Sequence, residues 1–425
     1  MSLSERDRRV IWHPYTQMQT AGLPIAIVRG EGSRLYDEKG NEYIDAIASW
    51  WVNTHGHAHP YIAEKVAVQL KKLEHVIFAG FTHEPAVELA ERLLKVLPPN
   101  QSRVFYSDNG STAVEVGMKM ALQYWYNRGE KRKKIVVLGN SYHGDTFGAM
   151  SASVRDLFTE PFWDLLFDVI SVDAPVKGKE KDSFWQLVSA TSRGDIAAFV
   201  FEPLLQGAGG MIMYDAKPLD NMIGICRQKG IPTIADEVLT GFGRTGKFFA
   251  SDYLTNKPDI VCMSKGLTGG TMALGATSCT ADIYDGFLSD DKRKSFFHGH
   301  SYTGNPVACA AALASLDLFD RNETWDNVRR IIERQSDFIS RIVVHPRVRN
   351  ARQTGTIIAF DVVNGKGTGY LNSLRDWMND YCLSRRIIIR PLGNVMYLIP
   401  PYCIADGELD RVYSTLRSML DDIGA

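Results

Sequence analysis

Cysteine is scarce and unpaired by spacing: Cys226, Cys262, Cys279, Cys309, Cys382 and Cys403 are scattered, with no C-x-x-C. That argues against a disulfide framework and a dithiol redox motif, and reads as reduced, mostly buried thiols in a cytosolic protein. An excess of one charge is missing too. The 48 Lys and Arg against 49 Asp and Glu leave a net charge of −1, so no overall field draws the chain to nucleic acid or to an anionic membrane. No uninterrupted apolar stretch reaches membrane-spanning length. The first residues, MSLSERDRRV, mix charges without an apolar core, so no secretory leader is expected there. Repeats and low-complexity segments are absent as well.

What is present is the composition of a globular protein, 45% hydrophobic and 23% charged over 425 residues. That length accommodates a large core with a smaller attached domain. The middle of the chain alternates short apolar runs with longer amphipathic ones. KIVVLGN (134–140), IAAFVFEP (196–203), IPTIADE (231–237) and DIVCMSKG (259–266) read as strands buried on both faces. STAVEVGMKMALQYW (111–125) puts Val114, Met118, Ala121 and Leu122 on one helical face. NPVACAAALASLDLFD (305–320) is a second helix, with Pro306 suited to its first turn. This alternation predicts an α/β fold with a mainly parallel sheet flanked by helices. Residues 14–53 carry hairpin-like signals, and residues 345–403 read as further strands and helices. Both ends are assigned to the smaller domain, as segments 1–58 and 326–425 around a large domain at 59–325.

Ligands in open α/β sheets bind at the carboxyl ends of strands, and each chemical motif falls at such an end. Lys265 directly follows an apolar strand and precedes glycines. A lysine there is either a solvated strand end or, if desolvated, an amine able to form a Schiff base. A pyridoxal phosphate site needs such a lysine together with an acid against the pyridinium nitrogen. Asp236 closes the preceding strand and is that acid, made tolerable by a cationic ring; Glu237 is then the structural one. Gly110, Ser111 and Thr112 open the 111–125 helix, where free N–H groups and the helix dipole suit a phosphate, although Ser and Thr are also ordinary caps. In NSYHGDTFGAM (140–150), Tyr142 is placed to stack on a flat heterocycle, with Asp145 close behind. In FHGHSYTGNP (297–306), Gly299, His300 and Ser301 precede a helix and suit an anion. The histidines there and in HGHAHP (His55, His57, His59) are not read as metal ligands, because no acid or cysteine cluster completes a set at recognisable spacing.

ADEVLTGFGRTGKFF, SKGLTGG, NSYHGDTFGAM and HSYTGNP together resemble the class III (omega) aminotransferases of pyridoxal phosphate fold type I, over nearly the whole chain. The resemblance implies that Lys265 carries the cofactor as a Schiff base and that Asp236 pairs with its ring nitrogen. It implies that Gly110 and Ser111 hold the phosphate, and that Tyr142 and Val238 pack on opposite ring faces. Ser301, with His300 beside it, would complete the phosphate cup from the neighbouring subunit of a homodimer, and Gly299 would lie against the substrate. Three further segments, IWHPYTQM (11–18), IASWWVNTHGHAHP (47–60) and IIIRPLGNVMYLIPPY (387–402), resemble the branch that moves an amino group from S-adenosylmethionine to 8-amino-7-oxononanoate in biotin biosynthesis. That likeness gives Tyr15, Trp50, Tyr142 and Arg390 substrate roles, with Asp145, Arg244 and Tyr397 nearby. Where that branch carries Pro-Thr, this chain has His300-Ser301, which keeps the hydroxyl. An apolar trough ending in one arginine suits a long keto acid, and aromatic faces attract a sulfonium cation. Trp51 is as well read as core packing. The alternatives are an aminotransferase of the ornithine, 4-aminobutyrate or β-alanine type, lysine as the donor, and an aminomutase of the glutamate-semialdehyde type.

Overall fold

The computed structural model describes residues 1–363 and 373–423; the part of the 345–403 stretch at 364–372 lies outside them. At the centre is a seven-stranded sheet. Its order is Gln101–Ser107, Gly275–Thr280, Ile260–Met263, Thr233–Asp236, Ile196–Phe201, Lys134–Leu138 and Ile170–Val172. All strands run in one direction except Gly275–Thr280, which is antiparallel to both neighbours. The mainly parallel sheet expected from the sequence is therefore present, and the four strands read from it lie side by side within it.

Helices cover both faces, which is why these strands read as unbroken apolar runs. Every residue of Ile196–Phe201 is buried. On one face, Val136, Phe199, Phe201 and Ala235 pack against helices Glu180–Thr191 and Ala216–Gln228 through Leu187, Leu219 and Met222. On the other, Ile135, Val137, Val200 and Ile234 pack against Gly110–Asn127. That helix is buried more broadly than the one stripe expected: Ala113, Val116, Met120 and Trp125 are enclosed along with Val114, Met118 and Ala121. Asn109 caps it, its side chain accepting from Thr112 N at 3.0 Å. Ser111 is thus left out of the cap. Helix Pro306–Phe319 is capped by Asn305, and Pro306 stands in its first turn as expected.

The two ends of the chain meet in a second sheet. Strands Ile27–Glu31, Arg34–Asp37 and Glu42–Asp45 form an antiparallel meander, and Ile387–Ile388 adds to it in parallel beside Glu42–Asp45. A third sheet is built from Val348–Thr354, Ile357–Val362 and Val395–Leu398. Helix Asn322–Ile342 follows Pro306–Phe319 after a short turn and packs on the third sheet through Val328, Ile331 and Phe338. Five of the six cysteines are buried and none is paired. Among the described residues no helix is long and apolar enough to cross a membrane.

Candidate active site

The carboxyl ends of five strands converge on one cleft. Strand Gln101–Ser107 delivers Asp108 to Ser111, Lys134–Leu138 delivers Tyr142 and His143, and Ile196–Phe201 delivers Glu202. Thr233–Asp236 delivers Asp236 and Val238, and Ile260–Met263 delivers Lys265. Together they line a cavity of about 630 Å³. Parallel pairing sets Asp236 opposite Cys262, with Lys265 three residues further along the neighbouring strand.

Asp236 is only 5% exposed. Its Oδ1 accepts from Val238 N at 3.0 Å, and its Oδ2 meets His143 Nδ1 at 2.7 Å. A side chain therefore does partner this carboxylate, which the sequence reading had left to a cofactor alone. Burial by itself would lower the pKa of His143, but the hydrogen bond and charge of Asp236 outweigh it and raise the pKa. Glu202 lies beside this pair and accepts from Tyr142 N at 3.0 Å and Gly207 N at 2.9 Å. Burial pushes its pKa up to about 7, against the pull of His143. His143 and Glu202 were missed from sequence. Glu202 had a signal, since it ends an apolar run as Asp236 does; the histidine stood inside a motif that was read for its tyrosine.

Lys265 is half-buried in the cleft, with φ 41°. Burial lowers its pKa, opposed by the charges of Asp236 and Glu202, so its neutral form is easier to reach than that of a surface lysine. Its Nζ stands 4.8 Å from the centre of the Trp51 ring. Trp51 is buried and donates Nε1–H to Tyr397 Oη at 3.2 Å; it is core packing and a wall of the lysine's pocket at once. Glu237 is enclosed completely. It accepts from Thr240 Oγ1 at 2.5 Å, Ala250 N at 3.1 Å, and Ser251 N and Oγ at 2.7 Å each, the structural acid it was expected to be.

At the other end of the cavity the backbone of Gly110 and Ser111 forms the first turn of a long helix. A Cβ on Gly110 would lie 2.7 Å from Val238 Cγ1, and one on Gly144 would lie 2.0 Å from Ser111 Oγ. Both glycines are thus required by close approach, and Gly144 also by its φ of 130°. An anion-accepting helix start, an apolar Val238 wall, a tyrosine and a buried carboxylate surround a space ended by a desolvated lysine. These residues fit a flat, phosphorylated pyridine aldehyde.

A second cavity of about 680 Å³ opens from the first, sharing Trp51, Tyr142, Asp145 and Lys265 with it. Tyr15 Oη and Tyr142 Oη both hydrogen-bond the Asp145 carboxylate, the latter at 3.0 Å. Burial, then the bond to Tyr15 and the charge of Asp145, raise the pKa of Tyr142 well above that of a free phenol, so it donates. Trp50 is 40% exposed and meets Tyr15 edge-on at 5.5 Å. The Arg390 guanidinium lies 4.6 Å from the Trp50 ring centre, and Tyr397 lines the same space.

Two groups of expected residues lie elsewhere. Arg244 lines neither cavity. It is 1% exposed, its guanidinium donates to the carbonyls of Pro400 at 2.7 Å and Asn53 at 3.5 Å, and it faces the Tyr402 ring at 5.0 Å. In this position it ties the 244 loop to both ends of the chain through its two terminal nitrogens, while its buried Nε has no partner. Gly299, His300 and Ser301 are also outside both cavities of their own chain. They form an outer turn, with His75 Nε2 on the Ser301 carbonyl, next to Phe297 at 72% and Tyr302 at 66% exposure.

Residues 15–420 match the class III aminotransferase family, and the chain belongs to it; the cofactor of this family fold is pyridoxal phosphate. The chain is 46% identical to the adenosylmethionine-8-amino-7-oxononanoate aminotransferase of Synechococcus elongatus, over 97% of this chain and 99% of the relative. It is 40% identical to the protein of that name from Geobacter sulfurreducens, over 99% and 98%. The crystal structure of the Methanocaldococcus jannaschii protein of the same name superposes with a TM-score of 0.94 at 34% identity, covering 100% of this chain and 99% of the other. An omega transaminase from Pseudomonas jessenii superposes at 0.92 with 28% identity, covering 100% and 98%.

Removing the buried acid that faces away from the cavity tests the division of labour between neighbours. Glu237→Ala leaves several buried donors without an acceptor and is expected to cost about 3 kcal/mol or more of stability. Chemical denaturation monitored by circular dichroism measures it, and the folded fraction should still bind cofactor.

Proposed function

We propose that this chain transfers the amino group of S-adenosylmethionine to 8-amino-7-oxononanoate, giving 7,8-diaminononanoate in biotin biosynthesis. One observation carries the reading. The aromatic cavity that leads to Lys265 holds one guanidinium, Arg390, and two carboxylates: Asp145 beside the Tyr15 and Tyr142 hydroxyls, and Asp156, whose Oδ1 accepts from the Phe158 and Thr159 amides. A long keto acid needs the guanidinium, and a sulfonium-bearing donor is served by Asp145, the carboxylate that stands behind the tyrosines. A guanidinium binds a carboxylate in bidentate fashion. Trp50, Tyr15 and Tyr142 offer π-faces to a cation, worth roughly 0.5–2 kcal/mol, with the negative charge of Asp145 behind them. Leu392, Phe158 and Tyr397 supply apolar wall for the chain between the ends.

Pyridoxal phosphate, when bound, supplies an aldehyde that takes up an amine and a conjugated ring that accommodates the electron pair of the breaking bond. Lys265 is the residue to tether it. Asp236, oriented by His143, supplies the counter-charge for its ring nitrogen. Gly110 and Ser111 receive the phosphate, and Tyr142 and Val238 bracket the ring. With a lowered pKa, Lys265, once its amine is released from the tether, would take the proton from the donor's α-carbon and hold it for return, as one base serving both directions. Donor and acceptor use one cavity in turn, so ping-pong kinetics follow.

The site is shared in a homodimer, with His300 and Ser301 serving the neighbouring copy's phosphate and Gly299 its substrate; their position outside both cavities of their own chain, beside exposed Phe297 and Tyr302, supports this. The division into a large domain at 59–325 and a small one from 1–58 and 326–425 puts the cleft where the two meet. Unpaired, mostly buried cysteines fit a cytoplasmic setting.

Mixing the yellow holoenzyme with S-adenosylmethionine alone should shift the cofactor absorbance, and adding 8-amino-7-oxononanoate should restore it. A shift with ornithine, 4-aminobutyrate, β-alanine or lysine, and none with S-adenosylmethionine, overturns the donor assignment. Lys265→Ala should lose the visible absorbance of tethered cofactor while the protein stays folded; an unchanged spectrum removes Lys265 as the tether. Arg390→Ala should raise KM for the long keto acid about tenfold to a hundredfold, the scale of a charge-assisted pair, and spare the donor half-reaction. Equal damage to both halves would show that Arg390 does not read the acceptor's carboxylate.

A further inference from the structure

A buried polar cluster, away from both cavities, holds the turn that carries Trp50 and Trp51. Asp45 ends the strand Glu42–Asp45 and is fully buried. Its Oδ1 accepts from Ile47 N at 3.0 Å, and its Oδ2 accepts from Ser49 N at 2.6 Å. His57 Nε2 meets the same Oδ2 at 2.8 Å, and His57 Nδ1 meets Asn53 Nδ2 at 2.8 Å. An amide nitrogen only donates, so Nδ1 accepts and Nε2 carries the proton given to Asp45. His57 is itself clamped. Its N–H donates to the Gly32 carbonyl at 2.7 Å, its carbonyl accepts from Gly32 N at 3.2 Å, and a Cβ on Gly30 would lie 2.7 Å from His57 Cβ. Asn53 in turn abuts the loop after Lys265, where a Cβ on Gly270 would lie 2.1 Å from its Oδ1.

The turn needs such an anchor. Ala48, Ser49 and Trp51 have φ of 50°, 59° and 68°, left-handed values that non-glycine residues hold only where the surroundings over-determine them. In this shape consecutive tryptophans face different tasks. Trp50 lies against Arg390 and Tyr15, whereas Trp51 lies over the Lys265 amine and on Tyr397. Trp51 is held independently by Tyr397 and its apolar cluster, so a relaxed turn would misplace Trp50, the half-exposed one.

We propose that Asp45 and His57 are a positioning pair for the reaction, holding the strained Ala48–Trp51 turn so that Trp50 forms the substrate wall. They touch no substrate and set its affinity through the tryptophan. The inference rests on reading the second cavity as the substrate site. Asp45→Asn puts an amide NH2 where one backbone N–H needs an acceptor. It should raise KM about tenfold, the effect of losing one buried hydrogen bond to a charged group, with a much smaller change in kcat. His57→Gln keeps a donor for Asp45 and should recover most of what His57→Ala loses. The double variant Asp45→Asn/Trp50→Ala should be little worse than Trp50→Ala alone, since the two changes remove one function. The tryptophan band of the near-ultraviolet circular dichroism of resting holoenzyme should change in Asp45→Asn, with the cofactor absorbance retained. Additive losses in the double variant, or a fall in melting temperature and kcat with KM unchanged, would overturn the proposal. The histidine variants carry the same comparison if Asp45→Asn does not fold. Kinetics are read with whichever amine the wild type accepts, so a wild type inert to S-adenosylmethionine overturns the donor assignment and leaves the pair to be judged by the cycle.

Discussion

The buried contact between Asp236 and His143 is the constraint around which the rest of the site is arranged. Removing a carboxylate from water costs several kcal/mol unless charge and hydrogen bonds replace the lost hydration. Asp236 has an imidazole on one oxygen and the Val238 amide on the other, and both come from loops that leave the same edge of the sheet. Glu202, a second acid at the end of the adjacent strand, adds to the pull of Asp236 that raises the pKa of the imidazole. The parallel register then fixes how far Lys265 lies from this charge. A slip of one residue would turn every side chain of a strand to the other face, and strands apolar on both faces, as here, resist slipping only through the packing of their helices.

Around this charged floor the backbone is strained. Lys265 and three of the four residues Ala48–Trp51 have positive φ, each costing of order 1–3 kcal/mol. Burial of Trp51, Tyr397, Leu239 and Leu205 in one apolar cluster offsets that cost. The aromatic walls therefore have two origins. Trp51 belongs to the core and meets the lysine from below, while Trp50, Tyr15 and Phe158 keep a water-facing side. A site that binds a flat cofactor and two unlike substrates in turn has rigid surfaces at its floor and more open ones at its mouth.

Much of this was legible in the amino-acid order. An apolar run ended by an acid or a lysine marks a strand ending at a ligand cleft, and Asp236, Lys265 and the glycines at 110 and 144 stand at such ends. Partners remote in sequence were not legible. His143 and Asp236 meet only after three crossovers, and nothing in the spacing of N-S-Y-H-G says which way the imidazole turns. Arg244 shows the same limit. The resemblance sets it near the substrate, and only the packing shows two backbone carbonyls and the Tyr402 ring around it.

The sequence by itself determined the strand and helix periodicities, the acids and amine at strand ends and the family of the chain, because these depend on local pattern and residue chemistry. Only the tertiary structure decided which acid faces the cavity and which is buried for support, that a histidine holds the functional one, and that the turn bearing the two tryptophans is held by Asp45 and His57. Those outcomes depend on contacts between segments separated by tens to hundreds of residues, and chain packing rather than local preference selects them.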